Sequence, residues 1–374
     1  MKLTAAGESH GKSLLGIIEG LPSNLEIDID EIDKYLALRQ GGYGRGGRQK
    51  IEKDRVEILS GVRNRKTLGS PLAFSVQNRD YSNWENYMAA ESCDTSVKQL
   101  TAVRPGHADL TGLKKYNQTD ARNILERASA RSTAVTVVAG TIARQYLKVL
   151  GIEVSGYVKS VCGIKDTNEY EFEQLEGAKQ NPLFMLNSKA EGEAIKLIDK
   201  LKSDGDTAGG TIEIRVKGLK SGFGSCMQSE SKLDALLSFA IMGVQAIKGV
   251  EIGAGFGVAD LPGSKAHDEI FYNEDFYRKT NNAGGIEGGM SNGEEIVIRA
   301  AMKPIPTLMK GLKTVDYITK QPAIAAAERS DTCAICAAEI VLESVTALVI
   351  AQAVSTRLGG DHIDEVINRY RDLK

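Results

Sequence analysis

This sequence has few prolines and almost no net charge. The 374 residues include only 8 Pro against 39 Gly, and the formal net charge is −2. The length allows one large domain or two, but no low-complexity linker divides the chain, which favours a single domain over residues 1–374. The near-neutral charge argues against bulk affinity for nucleic acid, so any basic cluster must act locally.

Long apolar runs and paired cysteines are also missing. No apolar run approaches the roughly 18–20 residues of a membrane span, and no basic-then-apolar leader precedes the first motif. The five cysteines are odd in number and scattered, which is typical of a reducing compartment. We therefore expect a cytoplasmic protein without membrane contact. The Cys333-x-x-Cys336 pair has no second pair or histidine pair to complete a site, so no metal is expected.

The stretch 102–150 contains the first candidate site. Arg104 and His107 flank Pro105-Gly106, a dipeptide that marks a turn and would hold a cation close to an imidazole. Downstream, Arg127 and Arg131 are four residues apart, which would put both guanidinium groups on one face of a helix.

Hydroxyl residues near these arginines predict where an apolar helix begins. Ser129, Ser132 and Thr133 are natural N-cap residues for the apolar run that follows. A helix N-terminus beside Arg and hydroxyl groups favours negative charge, because free N–H groups and the helix dipole both attract anions. The same pattern is equally typical of an exposed, well-capped amphipathic helix, so the residues alone leave both interpretations open.

A turn near the start of the chain presents a second imidazole. In Gly-Glu-Ser-His-Gly at 7–11, glycine on both sides lets the backbone bend tightly and expose Ser9 and His10 to a ligand. A lone histidine in a turn is more often structural. However, the chain has only four His, and two of them, His10 and His107, lie in Gly-flanked turns.

The segment 39–48 is a basic, glycine-rich loop that follows a predicted helix capped by Asp28 or Asp30. It has three Arg and five Gly in ten residues, a composition that suits phosphate groups or nucleic acid. It lacks the residue order of a nucleotide P-loop and the strand-first context of a dinucleotide-binding fold. In isolation the loop is only suggestive.

Periodicity along the chain predicts an α+β fold. Alternation of apolar residues predicts strands at 56–61, 71–77, 154–159, 211–216, 250–256 and 295–299. Helical spacing predicts helices at 233–247 and 338–357. Residues 165–206 are polar and uneven, which is typical of a surface excursion.

Three candidates lie nearer the C-terminal end. Residues 281–293 form a Gly-dense loop, and Lys-Pro-Ile-Pro-Thr at 303–307 predicts a rigid basic turn. Asp331 precedes the last long helix. Since acidic residues favour the first turn of any helix, a solvated helix start is the better interpretation of Asp331 taken alone.

Six motifs occur here in the order in which they occur in chorismate synthases. They are Gly-Glu-Ser-His-Gly at 7–11, Gly-Tyr-Gly-Arg-Gly-Gly-Arg at 42–48, Arg-Pro-Gly-His-Ala-Asp at 104–109, Arg-Ala-Ser-Ala-Arg at 127–131, Ala-Gly-Gly-Ile-x-Gly-Gly at 283–289 and Arg-x-Asp at 329–331. From residue 7 to about residue 356 the chain resembles that family, and the first and third motifs are highly specific in combination.

The resemblance implies a carbon–oxygen lyase of the shikimate pathway of aromatic amino acid biosynthesis. Such an enzyme converts 5-enolpyruvylshikimate 3-phosphate to chorismate by 1,4-elimination of phosphate, and it requires reduced FMN without net redox change. The resemblance also implies NADPH as a source of reductant, and a homotetramer whose subunit sandwiches helices between antiparallel β-sheets.

Matched position by position, the resemblance also implies residue roles. His10 would assist near the reduced flavin, His107 would lie near the substrate and its leaving phosphate, and Asp331 would lie near flavin N5. The implied substrate-binding residues are Ser9, Arg48, Arg104 and Arg131. Nicotinamide nucleotide is implied at Arg39 and Arg45. FMN is implied at Arg127, Ala128, Ser129, Gln245, Ala246, Gly288, Lys303, Pro304, Ile305, Pro306, Thr307 and Arg329.

The sequence departs from the family pattern in three places. Lys-Pro-Ile-Pro-Thr at 303–307 replaces Lys-Pro-Thr-Ser-Ser/Thr, which removes hydroxyl groups that could face the flavin. The customary Pro after Asp331 and an Arg further on are missing, and Ser-Cys-Met-Gln at 225–228 replaces a Glu-Pro stretch. The two histidines and the arginine set are intact.

Two other function classes remain as alternatives. The Arg/Gly loop could belong to an RNA-binding module, but the near-neutral charge and the lack of interleaved aromatic residues argue against it. A nicotinamide oxidoreductase is the second alternative, and net conversion of NADPH during turnover would indicate it.

Overall fold

The described chain contains both strands and helices, in a mixed order. The computed structural model describes residues 1–47, 53–325 and 331–373. The strands are β1 (Lys2–Ala6), β2 (Ser13–Glu19), β3 (Val56–Ile58), β4 (Val62–Arg63), β5 (Lys66–Thr67), β6 (Leu72–Gln77), β7 (Glu153–Val161), β8 (Ile164–Lys165), β9 (Gly210–Lys217), β10 (Ile247–Ile252), β11 (Ile270–Asn273), β12 (Asp275–Arg278), β13 (Ile286–Glu287), β14 (Met290–Ser291), β15 (Ile296–Met302), β16 (Lys313–Val315) and β17 (Pro322–Ile324).

The α-helices are α1 (Ile29–Gln40), α2 (Glu85–Met88), α3 (Asp109–Lys115), α4 (Arg122–Ala128), α5 (Thr133–Lys148), α6 (Phe172–Leu175), α7 (Ser188–Ser203), α8 (Leu233–Met242), α9 (Gly263–Ala266), α10 (Ile335–Leu358) and α11 (Ile363–Arg371). Asp28 is the N-cap of α1, and its side chain accepts hydrogen bonds from the backbone N–H groups of Asp30 and Glu31, as the sequence predicts.

Two antiparallel sheets enclose a layer of helices. One sheet has the strand order β1-β2-β6-β3 and the other the order β10-β15-β9-β7-β8. Between them, α5 contacts both sheets and packs against α10, which lies on β7 and β9. Alternate residues of β2 and β15 are buried, so each of these strands turns one apolar face inward. The predicted α+β fold with helices between antiparallel sheets is confirmed.

The helix α10 is the centre of the core. By length and composition it is apolar enough to cross a membrane, so the prediction that no apolar run approaches this length is wrong. Since 78% of its most apolar window is buried against the rest of the protein, its place in the core accounts for its composition. It crosses α5 closely at Gly140, where a Cβ would lie 2.3 Å from Ser344 Cβ.

The predicted strands all form, with shifts of a few residues at their ends. The helix predicted over 233–247 is wrong in its second half, because α8 ends at Met242 and strand β10 begins at Ile247. The interpretation of 165–206 as a surface excursion is also wrong. This segment contains α6 and α7, and it contributes buried apolar side chains to the main core, including Leu175, Leu183 and Ile198.

A cluster of charges is buried beside α10. Glu343 is fully buried and pairs with Lys179 and Arg144, each with an N–O distance of 2.8 Å. Burial opposes ionisation of Glu343, but the two cations outweigh it and lower the pKa of this carboxyl. Glu339 is also fully buried, 3.6 Å from Lys179. Burial, and then the negative charge of Glu343, raise the pKa of Glu339 well above its ordinary value.

Two substitutions one turn apart on α10 should therefore differ in effect. Glu343→Gln removes the buried carboxylate that pairs with both Arg144 and Lys179 and should cost about 3–5 kcal/mol of unfolding free energy at pH 7. Glu339→Gln should cost much less, because the raised pKa of Glu339 favours its neutral form, which the amide resembles. Urea denaturation of both variants measures the difference, and equal losses would contradict it.

The raised pKa of Glu339 should also make the stability of the protein depend on pH. Glu339 has a raised folded-state pKa, so the stability it contributes is fully present below the unfolded pKa of a glutamate and is lost as the pH rises. Gln needs no proton. The stability of Glu339→Gln relative to the wild type should therefore increase between pH 5 and 8, by at most about 1.4 kcal/mol per pH unit. A pH-independent difference would contradict this.

Candidate functional site

The turn between β1 and β2 presents His10. Gly7 has φ +109°, and a Cβ there would lie 2.6 Å from Ser13 O, so the tight turn requires glycine. Ser9 and His10 are both buried. Asn78 fixes the turn from the end of β6, donating from Nδ2 to Glu8 O (3.1 Å) and to Gly11 O (2.7 Å).

His10 is held on two sides. Glu126, at the end of α4, accepts the His10 backbone N–H at Oε2 (2.7 Å), and its Oε1 lies 2.8 Å from His10 Nδ1. Trp84 stacks on the imidazole with a centroid distance of 3.9 Å. On the indole, the Arg122 guanidinium lies 5.0 Å and Lys98 Nζ 4.8 Å from the ring centroid.

The segment 127–133 is not one helix, so the prediction that Arg127 and Arg131 share a helix face is wrong. Arg127 belongs to α4, Ser129 is extended, and Arg131 lies in the 3-10 turn Ala130–Ser132. Ser129 caps that turn by accepting from Arg131 N (3.2 Å), while α5 begins at Thr133 without a side-chain cap. The break sends Arg127 to the surface, where it donates to backbone carbonyls of β1 and the turn after it, and Arg131 into the interior.

Asp54 lies between two buried arginines. Its Oδ2 accepts from Arg131 Nη1 at 2.5 Å and from Arg39 Nη1 at 3.5 Å. Arg131 Nε also donates to Asn78 Oδ1 (2.7 Å), and Arg39 Nε donates to Thr133 Oγ1 (2.9 Å). Burial is the main cause that lowers the pKa of Arg39 to about 9; the charge of Asp54 opposes it, and the charges of Arg131 and Arg45 add to it.

The turn 104–109 brings the second imidazole to a buried carboxylate. His107 Nδ1 lies 2.5 Å from Asp109 Oδ1, and Arg104 grips the same carboxylate with Nε (2.8 Å) and Nη2 (2.9 Å). Burial opposes ionisation of Asp109, but the hydrogen bonds from His107 and Arg104 hold the pKa of its carboxyl well below its usual range. Arg104 Nη2 also lies 3.1 Å from His107 Nδ1. Asp109 Oδ1 is the nearer partner of this nitrogen, and because an ionised carboxylate only accepts hydrogen bonds, the shorter contact favours a proton on Nδ1.

The turn 303–307 lies against this second imidazole. Lys303 Nζ donates to Gly106 O, Arg104 Nη1 donates to Thr307 Oγ1 (3.3 Å), and Pro306 lies beside Gly106. The turn also connects to the segment 127–133, since Lys303 N donates to Ala246 O (2.9 Å) and Gln245 Nε2 donates to Ser132 Oγ (3.1 Å). Pro304 and Ile305 complete the turn, and Ala128 lies between Arg127 and Ser129.

Asp331 is not a free helix start. Its Oδ2 pairs with Arg45 Nη1 (2.8 Å), and its Oδ1 accepts Gly46 N (2.6 Å), so it fastens the Gly-rich loop to the beginning of α10. The loop approaches that helix closely, because a Cβ on Gly42 would lie 2.6 Å from Cys336 Cβ. Burial raises the pKa of Cys333 to about 11 and that of Cys336 well above its ordinary value, which disfavours reactive thiolates.

The remaining predicted site residues are not joined to this network by a described contact. Gly288 lies in the turn between β13 and β14, where the neighbouring Gly289 O accepts from Leu233 N at the start of α8. Arg48 and Arg329 lie outside the described residues. Within the described ranges, no three His, Cys, Asp or Glu side chains converge as metal ligands.

Several site residues escaped the sequence interpretation: Asp54, Asn78, Trp84, Asp109 and Glu126. Asp109 stood inside a recognised motif, two residues after His107, and this spacing could have identified it. Glu126 and Asp54 gave no local signal, since they meet their partners His10 and Arg131 across 116 and 77 positions.

Taken together, the arrangement can bind an anionic ligand and move protons. Two imidazoles are each held at Nδ1 by a carboxylate, and cationic groups of Arg39, Arg104, Arg131 and Lys303 lie in or beside the same hydrogen-bonded network. Histidine changes charge near neutral pH, and arginine binds carboxylate and phosphate through paired donors.

Known proteins are similar to this chain in sequence and in fold over nearly its whole length. The family model described as chorismate synthase matches residues 1–355. A chorismate synthase of Alkaliphilus metalliredigens is 53% identical over 99% of this chain and 98% of its own, and one of Geobacter metallireducens is 51% identical over 99% and 97%. A crystal structure of chorismate synthase is 37% identical, with a TM-score of 0.80 over 99% of this chain and 96% of that one.

These relatives cover both sheets, the helix layer and both histidine turns. This chain therefore belongs to the chorismate synthase family.

Proposed function

We propose that this chain catalyses the 1,4-elimination of phosphate from 5-enolpyruvylshikimate 3-phosphate to give chorismate, a carbon–oxygen lyase reaction of the shikimate pathway. One observation supports this most strongly. In a member of the family, the His10 turn is hydrogen-bonded through Asn78 to Arg131, and the His107 turn is hydrogen-bonded to Lys303. Two further hydrogen bonds, from Gln245 to Ser132 and from Lys303 to Ala246, connect the chain next to Arg131 with Lys303.

The charges suit the substrate, which carries a phosphate and two carboxylates. Arg104 and Arg131 are buried, and each is oriented by a buried acidic partner, so their guanidinium groups are fixed before a ligand arrives. Ser9 lies beside His10 in the same turn. Fixed donors lower the ordering cost of binding, which supports the assignment of these residues to the substrate.

The donor set also fits FMN. Arg127 is exposed at the surface, and Ser129, Gln245 and Lys303 are partly exposed beside the start of α5. Cations, hydroxyl groups and amides of this kind suit the phosphate and ribityl groups of a flavin mononucleotide. The flavin, when bound in its reduced form, would supply electron density transiently, without net redox change. The retained Thr307 hydroxyl already accepts from Arg104, although Ile305 and Pro306 replace hydroxyl residues of the family pattern.

The chain's own groups would handle the protons. His10 and His107 each keep one nitrogen on a carboxylate, which leaves Nε2 as the nitrogen for exchange. Asp331 is the third candidate, and its ion pair with Arg45 keeps it next to the Gly-rich loop.

We also propose a cytoplasmic homotetramer that receives reducing equivalents from NADPH through a flavin. Self-association is supported by large apolar side chains that the single chain leaves exposed, among them Phe239 (83%), Phe256 (81%), Tyr272 (68%) and Phe276 (68%). Arg39 and Arg45 remain the proposed nicotinamide nucleotide contacts, although Arg39 pairs with Asp54 and Arg45 pairs with Asp331.

Turnover should require reduced flavin without consuming it. Under anaerobic conditions with chemically reduced FMN, the chain should form many chorismate molecules per flavin from the enolpyruvyl substrate. Chorismate is followed by absorbance, and NADPH oxidation is followed in parallel. Equal activity with oxidised FMN, or with none, would rule out the proposal, and stoichiometric NADPH oxidation would indicate the oxidoreductase alternative.

Asp331→Asn should separate proton transfer from loop anchoring. The amide can still accept Gly46 N but cannot exchange a proton, so turnover should fall by about 10²–10⁴-fold, with FMN binding near wild type. Arg45→Gln breaks the same ion pair and leaves the carboxylate. If the two variants lose activity equally, Asp331 acts only by anchoring the loop; if the Asn variant keeps near-wild-type turnover, it has no catalytic role.

A further inference from the structure

The buried Glu126 carboxylate meets His10 at two donors. One oxygen accepts the His10 backbone N–H (2.7 Å) and the other lies 2.8 Å from Nδ1 of the ring. Ser9 N donates to the backbone carbonyl of the same glutamate (2.9 Å), so the whole turn is fastened to the end of α4. The Glu126 side chain is 3% exposed and that of His10 11%, so water does not compete strongly for these contacts.

This geometry determines where the imidazole proton lies. An ionised carboxylate can only accept hydrogen bonds, and Arg122 places a cation 3.8 Å from its Oε1. Nδ1 must therefore carry a proton in the neutral ring as well as in the protonated ring. It follows that Nε2 alone gains and loses a proton when His10 changes its charge.

Trp84 removes the remaining freedom of the ring. The indole stacks on the imidazole at 3.9 Å with an interplanar angle of 27°. Trp84 is itself held by Nε1, which donates to Asp80 Oδ2 (3.1 Å). With Nδ1 fixed by Glu126 and the ring plane fixed by Trp84, the direction of Nε2 is also fixed.

We propose that Glu126 is the positioning residue of His10, holding it as the Nδ1–H tautomer so that Nε2 is its single site of proton exchange. The proton step this serves rests on the proposed function, whereas the tautomer itself does not. Glu126 touches neither substrate nor flavin in this role and acts only through the imidazole.

Glu126→Gln is the informative variant, because a carboxamide has one accepting atom in place of two. If its oxygen accepts the His10 backbone N–H, its NH₂ group faces Nδ1 and the ring must place its proton on Nε2. The side-chain volume hardly changes. Glu85→Gln removes the same charge from an exposed carboxylate next to Trp84 and serves as the matched control.

The tautomer can be read directly by nitrogen NMR on the full chain. The protein has only four His, so imidazole-labelled histidine gives four ring systems, and His10→Gln identifies the signal of His10. At a pH where the ring is neutral, long-range ¹H–¹⁵N correlations should show a protonated Nδ1 and a bare Nε2 in the wild type and in Glu85→Gln. Glu126→Gln should shift the population toward Nε2–H.

Kinetic measurements then test whether the position of the proton on the His10 imidazole affects turnover. In the anaerobic assay Glu126→Gln should lower kcat by about 10²-fold, the lower end of general acid–base contributions, with FMN affinity within a few-fold of wild type. A wild-type His10 with its proton on Nε2 would overturn the proposal, and so would a tautomer shift in the Gln variant without loss of kcat. The wild-type spectrum is recorded without substrate. It therefore tests the tautomer of His10 even if the variant does not fold or the proposed reaction is not found.

Discussion

The ion pairs of Asp54 with Arg131 and Arg39 are the contacts on which the rest of the site depends. Asp54 is buried, and it balances two arginines that come from α1 and from the turn before α5. Arg131 reaches on to Asn78, and Asn78 holds the turn that presents His10. Since a buried charge left without its partner costs about 3–5 kcal/mol, these elements can only move together.

Burying several arginines costs desolvation free energy, but it provides fixed cations that can bind anions. The chain places buried carboxylates beside its arginines: Asp54 pairs with Arg39 and Arg131, and Asp109 pairs with Arg104. Pre-oriented guanidinium groups in a region of low dielectric attract an anion more strongly than flexible surface lysines would.

The two histidine turns have similar arrangements of side chains, built from different residues. In each, a glycine-containing turn carries the histidine, a buried carboxylate lies at hydrogen-bond distance from its Nδ1, and an arginine lies beside that carboxylate. At His107 the three groups lie within five residues of one another. At His10 the carboxylate comes from a helix that begins more than a hundred residues later, which makes that imidazole dependent on the packing of the whole domain.

The sequence by itself determined the fold class and the family, and it identified the two histidine turns as candidates, because alternation along strands, helical spacing and short glycine-flanked motifs are local properties. The Asp28 cap of α1 and the turns at 7–11 and 104–109 are examples. Other features were decided only by tertiary structure. The break at Ser129 separates Arg127 from Arg131, and the segment 165–206 is drawn into the core by apolar contacts that its polar average conceals. Glu126, Asp54 and Trp84 acquire their roles from partners distant in sequence, and no local pattern can specify such a pairing, because only the packed chain brings these charges and rings into contact.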